Sequence, residues 1–274
     1  MNQSKKHHYI PACYLKGFTN EGKRSSLFWA FPKNKPGFRH GTNPNDACVN
    51  NNYYKLESNL ESLMIEEWYG NLVEPRIGEF LERLESIKKI DSNDEGLIWL
   101  LTSLFLRNPS HRNSIESPLK QARKIAESMR KDLNKKGHKL HTSVLDYYID
   151  DIIEYELKQT KIAACYFPMF NYTLIKCPSG IHTITSDTPL ILTHTNLKIF
   201  GLATKGTMML TPLNKNIYLL GSKEINLKPI HNATKTEIAD LNTMVMNSAN
   251  ERIYCNNDHF LILDEHGKTI KYPF

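Results

Sequence analysis

The chain has 274 residues, with 40% hydrophobic and 10% aromatic side chains, 23% charged residues and a formal net charge of +6. That mixture supplies a core and excludes a largely disordered chain. No apolar run reaches the length needed to span a bilayer, and the segment before Lys5-Lys6-His7-His8 carries no secretory pattern, so a cytoplasmic protein without membrane contact is expected. The five cysteines (Cys13, Cys48, Cys165, Cys177 and Cys255) are odd in number and contain no Cys-x-x-Cys pair. Reduced thiols are the expectation, not a disulfide framework or a zinc-thiolate site.

In chain order, Ser26 to Phe31 predicts an extended run. Proline and asparagine then dominate from Pro32 to Asn52, which predicts a long irregular loop. Ser58 followed by Leu60, Leu63, Met64, Trp68 and Leu72 has helical spacing. Pro75 suits the first turn of a further helix carrying Ile77, Phe80, Leu81 and Leu84. Asp91 to Asp94 offers caps for an apolar helix ending at Asn108-Pro109. Two more helices are predicted over about 112–135 and 142–163. Beyond them, Phe170 to Cys177 and Ile181 to Thr185 flank Pro178-Ser179-Gly180 as a predicted hairpin. Short strands follow near 190–193, 207–210 and 216–220, then a helix over Thr234 to Asn250. Phe260 to Leu263 and Thr269 to Tyr272 close the chain as a hairpin.

This order predicts one α+β domain over 1–274. It has a strand and loop segment (1–57), a central helical bundle (58–164) and a mostly antiparallel C-terminal sheet with one helix (165–274). No Gly-x-Gly-x-x-Gly or Walker loop and no Gly-x-Ser-x-Gly elbow occurs, which removes dinucleotide, P-loop and serine-hydrolase chemistry.

Adjacent histidines before an apolar-proline segment, Lys6-His7-His8-Tyr9-Ile10-Pro11, recur in His-metal-finger nucleases, where an imidazole activates water beside a divalent ion. Glu67 and Glu74 stand seven apart, which places both carboxylates on one face of an unbroken helix. Asp187 ends an apolar run before Pro189. It is either a cap for backbone amides or a carboxylate for a metal or a proton. Arg107 at a helix end offers a clamp for phosphate or a partner for glutamate.

These segments also resemble a family. The motif His7-His8-Tyr9-Ile10-Pro11 with Tyr14-Leu15 and Phe18 is similar to the opening signature of the uncharacterised "domain of unknown function 4238" family. Tyr53-Tyr54, the helix with Glu67 and Glu74, Arg107-Asn108-Pro109, Thr185-Ser186-Asp187-Thr188-Pro189, Thr211-Pro212-Leu213 and the stretch from Asn242 to Tyr254 resemble its later motifs in the same order, across about residues 5–257. The resemblance implies no activity.

Three functions follow as expectations. The first is a metal-dependent nuclease or phosphodiesterase with a role in bacterial defence, in which His7, His8 and Asp187 are catalytic. Glu67, Glu74 and Asp187 would hold magnesium or manganese, and Arg107, Tyr53 and Lys6 would bind substrate. The second is a non-catalytic module for nucleic acid or nucleotide, in which tyrosines stack bases. The third is a subunit that docks a protein partner or a second copy, with the histidines and glutamates forming a core network.

Overall fold

The computed structural model describes residues 6–55, 64–137 and 149–273, and shows an α+β architecture. Strand β1 (Lys6–His8) leads into a short helix α1 (Ala12–Leu15), then β2 (Phe28–Pro32), β3 (His40–Thr42) and β4 (Val49–Asn51). The region expected to be one irregular loop therefore contains two strands. β3 pairs with β2, and β4 pairs antiparallel with β1 so that His8 lies opposite Val49. Two non-glycine residues with left-handed backbone, Cys48 (φ 54°) and Asn52 (φ 56°), bracket β4. Such conformations cost energy and persist where surrounding structure enforces them.

The helical zone follows with α2 (Met64–Trp68), a π-helical turn over Tyr69–Val73 and α3 (Glu74–Glu82), which together run as one continuous rod. The predicted start near Ser58 lies outside the described residues. Pro75 sits in the first turn of α3, as its missing amide permits. Helix α4 (Glu95–Leu106) begins at Asp94, whose carboxylate accepts the amide of Leu97 at 3.2 Å. Its buried Leu97, Leu100, Leu101 and Leu104 each contribute about 2 kcal/mol of apolar burial. Gly96 lets α4 approach α3 closely, because a Cβ there would stand 2.4 Å from the carbonyl oxygen of Arg76. Asn108 then caps α5 (Pro109–Lys135), and α6 (Ile149–Tyr166) returns beside α4.

The C-terminal zone supplies β5 (Asn171–Lys176), β6 (Thr185–Ser186), β7 (Ile191–Thr193), β8 (Met208–Asn214), β9 (Ile217–Ser222), β10 (Ile230–Asn232), α7 (Lys235–Ser248), β11 (Arg252–Cys255), β12 (Phe260–Leu263) and β13 (Thr269–Tyr272). One sheet runs β10-β5-β9-β8-β7, with only β10 and β5 parallel. A second runs β3-β2-β11-β6, joining the first zone to the last. The hairpin expected between Phe170 and Thr185 does not form. Both edges of β5 are taken by β9 and β10, and Thr185–Ser186 crosses to pair with β11. The closing β12–β13 hairpin does form. Thr234 and Glu237 make a capping box on α7, and Asn242 of that helix ties the core together. Its side chain accepts from Tyr218 Oη at 2.6 Å and the Ile184 amide, and donates to the carbonyls of His182 and Leu261.

All five cysteine thiols are free. Among the described residues no helix is long and apolar enough to cross a membrane.

Candidate functional site: a polar cluster at a π-turn

Arg107 ends α4 and is 2% exposed. A guanidinium removed from water needs donors matched and charge balanced. Its Nη2 donates to the carbonyl of His8 at 2.6 Å and its Nε to Tyr54 Oη at 3.2 Å, while its plane lies 3.9 Å over the ring of Tyr69. Its Nη1 is buried without a hydrogen bond among the described residues. The nearest carboxylate, Glu74 Oε1, stands 3.7 Å away. The other oxygen of Glu74 faces Arg24 Nη2 at 3.5 Å, so this carboxylate sits between two cations.

Three of the expected site residues are therefore together: His8, Glu74 and Arg107. His8 holds its Nε2 3.0 Å from the carbonyl oxygen of Pro44. A carbonyl accepts, so Nε2 carries the proton and Nδ1 keeps the basic lone pair. Burial lowers the pKa of His8 below the ordinary 6.5, against the opposing pulls of the Pro44 carbonyl and Glu74. The imidazole is thus neutral at neutral pH.

The second helical carboxylate is Glu66, not Glu67. The π-turn inserts one residue into the rod, which swings everything beyond it by about 100°. Seven residues no longer complete two turns across that insertion, whereas eight do. Glu67 consequently faces solvent, and Glu66 turns inward on the side of Glu74 and Arg107, both of which act on its charge. Burial raises the Glu66 pKa above the ordinary 4.5, Arg107 opposes this and Glu74 reinforces it. Glu66 Oε2 is buried with no hydrogen-bond partner among the described residues. π-turns of this kind concentrate at functional sites.

The remaining expected site residues do other work. His7 is fully buried. Its Nδ1 accepts the amide of Tyr54 at 2.9 Å and its ring lies parallel to the Tyr54 ring, so it locks β1 to the Tyr53-Tyr54 segment and meets no solvent. Asp187 realises the capping alternative. It accepts the backbone amides of Asn250 (2.9 Å), Glu251 (2.7 Å) and Arg252 (3.2 Å), which occupies three of the roughly four lone-pair sites of the carboxylate. Tyr53 is buried under Arg112, with the guanidinium 3.7 Å from its ring, and offers no face to a base. Lys6 is exposed and holds Asp46 at 2.9 Å. Among the described residues no three of His, Cys, Asp and Glu are placed to share a metal ion, so Glu67, Glu74 and Asp187 form no ligand set. The nearby Cys13 thiol is pushed up to about 12 by burial and is no nucleophile at neutral pH.

Four contributors were missed from sequence: Glu66, Arg24, Arg112 and Glu156. Arg112 donates from Nε to Glu156 Oε1 at 2.8 Å and from Nη1 to the Tyr53 carbonyl at 2.6 Å, and pairs through Nη2 with Glu156 Oε2. Sequence offered a signal for that pair: an arginine in the first turn of α5, and an acidic residue on the inward face of α6 among Ile152, Ile153 and Thr160. Beside Arg107 and Glu156 lies a cavity of about 10 Å³ bounded also by Tyr54, Tyr69 and Thr160, room for a single water.

The other motif segments meet in the core. Tyr14 Oη donates to the Pro212 carbonyl at 2.8 Å and shares a 2.8 Å bond with Thr185 Oγ1, so three sequence-distant motifs are tied by one hydroxyl. A family model described as "Protein of unknown function (DUF4238)" matches residues 6–259. No curated protein and no solved structure shows a match to the chain.

Proposed function

The chain belongs to the DUF4238 family, whose description carries no activity, and on that premise we propose that it is an acid–base hydrolase of phosphodiesters. The reading rests on one observation: His8, Glu66, Glu74, Arg24 and Arg107, drawn from four separate segments, converge beside a π-turn, where burial lowers the pKa of His8 and raises that of Glu66. Clustered titratable groups perturbed by burial in this way supply a candidate base and a candidate acid.

In this mechanism Arg24, half exposed, holds a phosphate oxygen of the substrate. Nδ1 of neutral His8 takes a proton from the attacking water. Protonated Glu66 gives its proton to the departing oxygen. The Glu74 carboxylate fixes both guanidinium groups, and Arg107 holds His8 through its backbone carbonyl. No metal ion enters these steps.

The pH dependence follows from the two directions. Rate rises as pH passes the depressed pKa of His8, below 6.5, and falls as pH passes the raised pKa of Glu66, above 4.5. The profile is a bell bounded by the titrations of His8 and Glu66.

The test incubates purified protein with single-stranded and duplex DNA and RNA, with magnesium, with manganese and with a chelator. Cleavage that survives the chelator and falls by about 100-fold or more in His8→Ala supports the reading. Inactivity on every substrate in every condition sinks it. The burial of Arg107 favours one rival, a polar core network in a binding subunit. That rival predicts that His8→Ala lowers the melting temperature and changes no activity.

A further inference from the structure

The β2–β3 hairpin carries a second surface that the acid–base cluster does not use. Its turn passes through Gly37, whose φ of 83° demands a residue free of a Cβ, and presents Phe38 with 51% of its surface in water. An aromatic ring left so exposed on a turn is not serving the core. Lys35 Nζ stands 5.8 Å from the centre of that ring, and the ring of His40 lies 5.8 Å from it at a tilt of 32°. Next along the strand, Arg39 lies 6.0 Å over the partly exposed Trp29.

Phe38 and His40 form one wall of a cavity of about 450 Å³, closed on the other side by Arg252 of β11 and by Lys33, which is anchored on the Ala249 carbonyl at the end of α7. The lining carries three permanent cations (Lys33, Lys35 and Arg252) against one carboxylate, Glu251. A concave, net-positive hollow with an aromatic wall matches a polyanion whose bases are free to leave the stack. A duplex keeps its bases stacked and offers a convex, phosphate-lined surface to a hollow that needs a protruding ring.

We infer that this hairpin hollow binds single-stranded nucleic acid, with a base stacked on Phe38 and the flanking phosphates held by Lys35 and Arg252. The platform names a substrate class compatible with the proposed hydrolase, but its occupancy is measured without turnover. Failure of one reading therefore leaves the other standing.

The experiment measures fluorescence anisotropy of labelled twelve-nucleotide oligouridine and oligothymidine, and of a duplex of equal length, on the full chain at several salt concentrations. Expected is binding of the single strands that weakens steeply with salt, with the duplex clearly weaker. Phe38→Ala should weaken single-strand binding by about tenfold. Lys35→Ala combined with Arg252→Ala should flatten the salt dependence. These side chains are solvent-facing, and an unchanged melting temperature in each variant confirms that the fold is intact. Absence of single-strand binding, equal affinity for duplex, or an unaltered affinity in Phe38→Ala would each overturn the inference. A difference between the uridine and thymidine probes sets whether RNA or DNA is the natural ligand.

Discussion

Arg107 and Arg112 stand five residues apart, one at the end of α4 and the other at the start of α5, and their guanidinium planes lie 5.4 and 5.5 Å from the same Tyr54 ring. They are solved differently. Arg112 meets Glu156 through two parallel bonds and the Tyr53 carbonyl through a third, so each of its nitrogens is matched. Arg107 has two nitrogens matched and leaves Nη1 short of Glu74, which is itself shared with the half-exposed Arg24. A closed pair is scaffold, because nothing is left for a ligand to bind. An incompletely matched buried cation beside a carboxylate with a lone buried oxygen keeps capacity for something from outside.

The largest effect expected from this contrast lies on the closed side. Arg112→Ala leaves the Glu156 carboxylate buried and unpaired, and should cost about 3–5 kcal/mol, seen as a fall of roughly 10 °C in melting temperature. A loss below about 1 kcal/mol would show that the pair is not scaffold. Asp187→Ala should cost about 2–4 kcal/mol by freeing three amides at once, with no selective loss of activity beyond what unfolding explains. Denaturant titration measures it, and a catalytic defect in a fully folded variant would return Asp187 to the site.

On the open side the expected stability change has the opposite sign. The folded-state pKa of Glu66 is raised, so its ionised form destabilises the fold above that pKa and the cost vanishes below the ordinary 4.5. Glu66→Gln should therefore melt higher than the natural protein at neutral pH, with the gap closing as pH falls. The same variant should lose the proton donor and with it the alkaline limb of the pH–rate bell. A lower melting temperature at neutral pH would mean that the carboxylate has a cationic partner after all. The smallest effect belongs to Glu67→Gln, which should stay within about 0.5 kcal/mol of the natural protein and leave activity unchanged.

Local signals in the chain settled a good deal. The capped start of α4 at Asp94, Pro75 at the head of α3, the capping box of Thr234 and Glu237, and the Asp264 to Gly267 turn of the last hairpin depend on neighbours a few residues apart. Such signals are written into the sequence itself. His8, Glu74 and Arg107 were also legible, because unusual polar residues among apolar ones need a partner somewhere. The partners were not legible. Whether Thr185–Ser186 pairs with β5 or with β11 depends on which sheet edge is free, and β9 and β10 decided that from far along the chain. Whether Glu66 or Glu67 faces the cluster depends on one extra residue in a helical turn, which no periodicity of 3.6 reveals. Asp187 became a cap because three amides, 63 to 65 residues away, arrived at its carboxylate. The sequence by itself determined the elements, their caps and the supply of charged groups. Tertiary structure alone decided which charges were closed into matched pairs and which were left incompletely paired, since burial and pairing are properties of the packed whole.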